Sequence, residues 1–276
     1  MDIAALAARL AELRVVPVVS IDDADDAVGL ADALAEGGLP IIEVTFRTDA
    51  AADAIGRIRT GCPDVLVGAG TVLDPATLDR ALDAGAEFIV APGFSPAVVA
   101  HAARRGVAML PGAVTPTEIE MALAAGLRLL KFFPAEASGG VGYIKAVAAP
   151  YRGVRFVPTG GVTAGNLGEY LAVPAVAACG GTWIASSDAI RAHRWDDIAS
   201  AAAEAMAIAR SASRPLASRG SGWPIAASAR ASKVSSATSS SRRSTKTWQR
   251  ERRAPLISKD GFSVVAPIRM MSPRST

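Results

Sequence analysis

A lysine stands near the end of an apolar run, Leu129-Leu130-Lys131-Phe132-Phe133-Pro134, where a buried strand is expected. Burying an ammonium is costly, and shedding the proton relieves that cost. A neutral amine in a dry pocket attacks carbonyl carbon, which makes Lys131 a candidate Schiff-base lysine. The inert alternative is a side chain that snorkels from the strand tip to solvent. Glu43 strengthens the chemical reading. It lies between Ile42 and Val44, so strand alternation turns its carboxylate away from those two and into the interior if they pack on helices. A carboxylate there must be paired, protonated or functional. An ion pair with a neighbouring cation is its inert alternative. Opposite Lys131 it becomes a proton shuttle of the kind imine chemistry requires.

Further polar residues fall where strands should end. Arg47 follows Glu43 by four positions and offers a fork of donors to a substrate carboxylate, with a surface loop arginine as the alternative. Thr71 could add a hydroxyl to the same carboxylate, or cap a helix, although Asp74 is better placed for a cap. Phe133 is near enough to Lys131 to wall a pocket. Gly160-Gly161 and Gly180-Gly181 follow the expected seventh and eighth strands, where backbone N–H groups commonly bind phosphate. The pairs argue for a phosphorylated substrate. Metal catalysis fits poorly, because the two histidines, His101 and His193, fall in stretches read as solvent-exposed helix. No Ser-His-Asp arrangement can be assembled at the same ends.

The elements that must position these groups alternate with little variation from residue 15 to about 208. Short apolar runs recur at 15–21, 41–46, 65–72, 88–92, 108–114, 129–134, 155–161 and 176–184. Between them, 23–36, 50–59, 75–83, 96–105, 116–125 and 141–149 carry helical period. Asp74-Pro75, Ser95-Pro96 and Thr115-Pro116 read as helix starts, and Gly37, Gly85, Gly106 and Gly126 as helix ends. At the N-terminus Ile3, Leu6, Leu10 and Leu13 share one face of an amphipathic helix, which argues against a signal peptide. Eight strands alternating with helices imply parallel pairing, and a (β/α)8 barrel fits the count, with a doubly wound sheet as runner-up. No GxGxxG follows the first strand, which lowers the dinucleotide reading.

Composition divides the 276 residues in two. Residues 211–276 hold 13 Lys/Arg, 2 Asp/Glu and 16 Ser, leaving 16 Lys/Arg and 24 Asp/Glu of the totals 29 and 26 for residues 1–210. The body is therefore acidic, and the overall pI near 9.1 belongs to the tail. Residues 1–210 read as one barrel domain and 211–276 as a low-complexity tail that cannot bury enough surface to order itself. The tail has no aromatic stacking pattern, so nucleic-acid binding is not expected of it. Cys62 and Cys179 lack metal-ligand spacing and suit reduced thiols of a cytoplasmic protein. No run of about 18 apolar residues offers a membrane span.

The segments IEVTFRT, VGAGTV, APGFSP, LPGAVTPTE, KFFPAE, PTGGV and GGTW resemble, in order and spacing, the 2-keto-3-deoxy-6-phosphogluconate (KDPG) aldolase family over residues 1–208. The resemblance implies a homotrimeric (β/α)8 class I aldolase without metal or organic cofactor. Its implied reactions are cleavage of KDPG to pyruvate and glyceraldehyde 3-phosphate, and of 4-hydroxy-2-oxoglutarate to pyruvate and glyoxylate. It makes Lys131 the imine-forming lysine and Glu43 the acid/base. Arg47 and Thr71 would bind the pyruvyl carboxylate, with Pro92 and Phe133 lining the site. Thr159 matches the residue associated with choice of C4 configuration, and Gly160, Gly161, Gly180, Gly181 and Thr182 would cradle phosphate. Thr182 stands where many relatives have serine. A galactonate-pathway aldolase of the same family is the nearest rival. A phosphate-binding isomerase or epimerase, with Lys131 purely electrostatic, is another.

Overall fold

A computed structural model describes residues 1–212. The remainder of the Ser/Arg-rich segment, expected to be disordered, lies outside the described residues. The chain opens with helix α1 (Ile3–Leu13), where Asp2 caps the first turn by accepting from the Ala5 N–H at 2.8 Å. Its buried face is Leu6, Ala7, Leu10 and Leu13. Eight strands follow: β1 (Val15–Val19), β2 (Ile41–Thr45), β3 (Leu66–Gly70), β4 (Phe88–Val90), β5 (Ala108–Leu110), β6 (Leu129–Phe132), β7 (Arg155–Pro158) and β8 (Cys179–Gly181). Every strand residue except Arg155 is buried, the pattern of parallel strands covered on both faces.

Helices α2 (Asp26–Glu36), α3 (Ala51–Gly61), α4 (Pro75–Asp83), α5 (Pro96–Arg105), α6 (Pro116–Ala124) and α7 (Gly140–Ala148) fill the gaps where periodicity placed them. Asp74 caps α4 through its 2.8 Å bond from the Thr77 N–H, and Thr115 with Glu118 forms a capping box on α6. Three further helices, α8 (Ala164–Leu171), α9 (Ser187–Arg191) and α10 (Trp195–Ser211), were not expected as separate elements. Arg14 ties two of them down. Its guanidinium donates at 2.8 Å to the carbonyls of Leu171 and Ala209, at the C-terminal ends of α8 and α10.

Six strands form one parallel sheet in the order β5-β4-β3-β2-β1-β8, with Val15 opposite Cys179 and Glu43 opposite Gly68. That the last strand pairs with the first disfavours the doubly wound alternative. Strands β6 and β7 form a second pair, with Lys131 opposite Val157. Isolated bridges Gly112–Lys131, Phe156–Val176 and Thr159–Gly180 connect this pair to the segments on either side. Several strands end earlier than their apolar runs, because the chain beyond them leaves the ladder and bonds across loops, as Val72 N–H does to the Val90 carbonyl at 3.2 Å.

Candidate active site

The middle of β2 and the penultimate position of β6 deliver the two central groups. Lys131 and Glu43 are 6% and 4% exposed, and Lys131 Nζ donates to Glu43 Oε1 at 2.9 Å. Alternation on β2 therefore turns Glu43 inward, as its flanking Ile42 and Val44 require. Both readings of Glu43 meet here: it is ion-paired, and its partner is the candidate nucleophile. A small interior cavity beside the pair is lined by Val16, Phe88, Val90, Leu110, Val157 and Thr159, with Leu10 of α1 beneath. Apart from Thr159, the residues lining the cavity around this one acid and one amine are apolar.

Glycines make the room. A Cβ at Gly70 would lie 2.3 Å from Glu43 Oε1, and one at Gly68 would lie 2.3 Å from the Phe88 ring. Thr159 follows β7 and is 4% exposed. Among the described residues its hydroxyl makes only a long 3.5 Å contact, to the Val157 carbonyl, which leaves it able to serve a ligand. The Phe133 ring lies with its centroid 5.5 Å from Lys131 Nζ and is partly exposed at the mouth.

The other expected site residues stand at the same strand ends without lining that cavity. Arg47 lies two residues beyond β2 and is exposed, with Nε donating to Thr45 Oγ1 at 3.1 Å. Thr71, next after β3, has φ of 59°, a left-handed conformation uncommon for a non-glycine residue. Pro92 is half-buried after β4. Gly160 and Gly161 follow β7 with φ of 94° and 83°, which only glycine adopts readily. Their loop is stitched to the segment after Lys131 by the N–H groups of Ala135 and Glu136, which donate to the carbonyls of Thr159 and Gly160 at 2.8 and 3.0 Å. Thr182 is exposed after β8.

Three expectations need correction. Gly180 and Gly181 lie within β8, not beyond it, and are buried. A Cβ at Gly180 would stand 2.3 Å from Thr159 Oγ1, and one at Gly181 1.8 Å from the Trp183 ring, so close packing leaves no room for a side chain at either position. His193 sits in the turn between α9 and α10 rather than in a helix, and its Nε2 is 2.7 Å from Asp26. His101 is on α5 but half-buried, 2.9 Å from Asp79. Among the described residues, no group of three or more His, Cys, Asp or Glu side chains is placed to share one ion. No described helix is long and apolar enough to cross a membrane.

Sequence reasoning passed over Thr45 and Glu136. Thr45 is buried beneath Arg47, and its signal was its shared parity with Glu43. Glu136 accepts from the Tyr170 hydroxyl and lies where a Cβ at Gly161 would approach its own Cβ to 2.5 Å. Burial and that hydrogen bond push the Tyr170 phenol above its ordinary range. The pair holds the loop after β6 against the glycines after β7.

Comparison with known proteins agrees with this geometry. The profile of the KDPG and KHG aldolase family matches residues 6–201. A 2-dehydro-3-deoxy-phosphogluconate aldolase of Treponema pallidum (strain Nichols) is 51% identical over 189 residues, 68% of this chain and 90% of its own length. A KHG/KDPG aldolase of Escherichia coli (strain K12) is 42% identical over 192 residues, 70% of this chain and 90% of its own. Among solved structures, KDPG aldolase from Legionella pneumophila, captured at low pH with pyruvate as a covalent carbinolamine intermediate, is 37% identical and aligns with a TM-score of 0.70. That alignment covers 71% of this chain and 96% of the Legionella chain. A buried lysine–carboxylate pair carried on two parallel strands, within a chain matched by that profile along most of its described length, places this protein in the KDPG and KHG aldolase family.

Proposed function

We propose that this chain is a class I aldolase cleaving 2-dehydro-3-deoxy-6-phosphogluconate to pyruvate and glyceraldehyde 3-phosphate, with 4-hydroxy-2-oxoglutarate as a second substrate. The observation that carries the reading is the buried 2.9 Å contact between Lys131 Nζ and Glu43 Oε1. The framework is a closed (β/α)8 barrel, a reading supported by the β1–β8 pairing and by the bridges on either side of the β6–β7 pair. A homotrimer belongs to the same reading through the family resemblance, and light scattering of the purified chain tests it.

Transfer of one proton along the Lys131–Glu43 hydrogen bond yields an amine and a carboxylic acid. The amine adds to the C2 ketone, and Glu43 returns the proton to the departing hydroxyl, so water leaves and an iminium forms. The iminium is the electron sink. Glu43, directly or through a water, then removes the C4 hydroxyl proton as the C3–C4 bond breaks and the aldehyde leaves. Protonation of the enamine at C3 and hydrolysis release pyruvate and restore the amine.

In this reading Arg47 and Thr71 hold the carboxylate, Phe133 and Pro92 wall the site and Thr159 meets the C4 hydroxyl. The phosphate lies at Gly160, Gly161 and Thr182, near the buried β8 backbone of Gly180 and Gly181. The test is borohydride reduction in the presence of pyruvate, followed by peptide mass mapping. A reduced adduct on Lys131 is expected; an unmodified lysine in an enzyme that still cleaves KDPG overturns the mechanism. A substrate panel of the two phosphorylated C4 epimers and hydroxyoxoglutarate sets the preference, with the galactonate epimer cleaved fastest as the outcome that reassigns it.

A further inference from the structure

Thr45 is the last residue of β2 and is 2% exposed, a buried hydroxyl with the same strand parity as Glu43. Its Oγ1 donates to the Val19 carbonyl of β1 at 2.8 Å, which commits its one proton. The lone pairs that remain accept from Arg47 Nε at 3.1 Å. The backbone repeats the link, for the Arg47 N–H donates to the Thr45 carbonyl at 2.8 Å. Just beyond, the Thr48 hydroxyl donates to the Ile21 carbonyl at 2.6 Å, so the turn carrying Arg47 is pinned to the chain leaving β1 on both sides.

We infer that Thr45 is a positioning residue that orients the Arg47 guanidinium toward the substrate carboxylate. The inference rests on the reading of Arg47 as the carboxylate anchor. It also specifies the mode of binding. With Nε engaged by Thr45, the edge formed by Nε and one Nη is closed to ligand, and the carboxylate is met end-on by the two Nη groups. A long arginine free to rotate would lose rotamer entropy on every binding event, and a buried acceptor at its Nε removes much of that loss beforehand.

The test is a double-substitution cycle in the full chain with T45V, T45S, R47A and T45V/R47A, reading KM and kcat for KDPG and the pyruvate concentration needed for borohydride trapping. T45V is expected to raise KM and the trapping concentration about tenfold, with kcat changed about threefold or less, since it removes one bond to a charged group. T45S retains the hydroxyl and is expected within about twofold of wild type. In the R47A background, T45V is expected to add nothing. Equal fold-effects with and without Arg47 overturn the inference while leaving the Arg47 reading intact. R47A with an unchanged KM overturns both. Should T45V fail to fold by circular dichroism, Thr45→Cys takes its place, because a thiol fills similar volume and accepts poorly; unchanged kinetics there overturn the inference.

Discussion

A methyl group added at Gly70 would lie 2.3 Å from Glu43 Oε1, so the carboxylate paired with Lys131 occupies space that a side chain on β3 would fill. G70A is expected to push Glu43 off its line to Lys131. A displacement near 1 Å at a reacting group lowers turnover about a hundredfold. Steady-state cleavage of KDPG, with circular dichroism as the folding control, checks this. Wild-type kcat in G70A would mean that Glu43 adapts without loss and that its position is not critical.

The same pair governs stability. Removing one partner strands the other as a buried charge, so K131M and E43Q should each destabilise by about 3–5 kcal/mol. Replacing both, as K131M/E43Q, leaves no buried charge and is expected to be more stable than K131M alone, although none of these variants turns over KDPG. Urea unfolding measures the set. Independent, additive losses would indicate that the two groups do not interact in solution.

How much of this was legible beforehand depends on what each residue had to contact. Lys131 and Glu43 stood out because a charge inside an apolar strand is anomalous from its immediate neighbours alone. Leu10 was assigned to a helix face, but that it lies beneath the interior cavity required the packing of α1 on the strands. Gly180 and Gly181 were placed beyond the eighth strand because a glycine pair looks alike in a turn and in a tightly packed strand; only the neighbouring Thr159 and Trp183 distinguish the two. Thr45 resembled any β-branched strand residue, since its role depends on Val19, 26 positions away. Helix α8 was missed where Gly165 and Gly168 weaken helix propensity, and its packing through Leu167, Tyr170 and Leu171 compensates.

Substrate choice should respond to Thr159. Among the described residues its hydroxyl has no short bond, only the 3.5 Å contact to the Val157 carbonyl. T159V keeps the shape and removes the hydroxyl, and is expected to reduce the preference between the two C4 epimers by about tenfold. Competing the epimers in one reaction and quantifying both products measures the ratio directly. An unchanged ratio would move stereochemical control to another group.

The thiols should be slow to react. Burial, then a hydrogen bond from Sγ to Asp32 at 3.2 Å, push the Cys62 thiol up to about 11. At pH 8 about one thiol in a thousand is then ionised, and alkylation requires the thiolate. Iodoacetamide labelling of the folded chain is expected to be far slower than after denaturation, and D32N should accelerate it severalfold by removing the negative charge beside the thiol and leaving a weaker, neutral acceptor. Cys179, fully buried, is expected to label only after unfolding. Equal labelling rates for folded and unfolded chain would contradict the packing of both.

Acid sensitivity should include a contribution from the start of α6. Partial burial acts to raise the Glu118 carboxyl, but hydrogen bonds from Thr115 N–H at 2.8 Å, Val114 N–H at 2.9 Å and the Thr115 hydroxyl outweigh it. The net effect holds the group below the ordinary glutamate value of 4.5. A carboxyl depressed by folding binds fewer protons in the native state than in the unfolded one between the two pKa values. Its stabilisation is therefore fully present above 4.5 and is lost as pH falls through the lower, folded value. E118Q keeps the capping shape without the charge and should cost about 0.5–1 kcal/mol at pH 7. The two proteins should converge in stability as the pH is lowered past 4.5, which urea unfolding at a series of pH values measures. A gap that stays constant through the acid range would show that the carboxylate charge contributes nothing at this helix start.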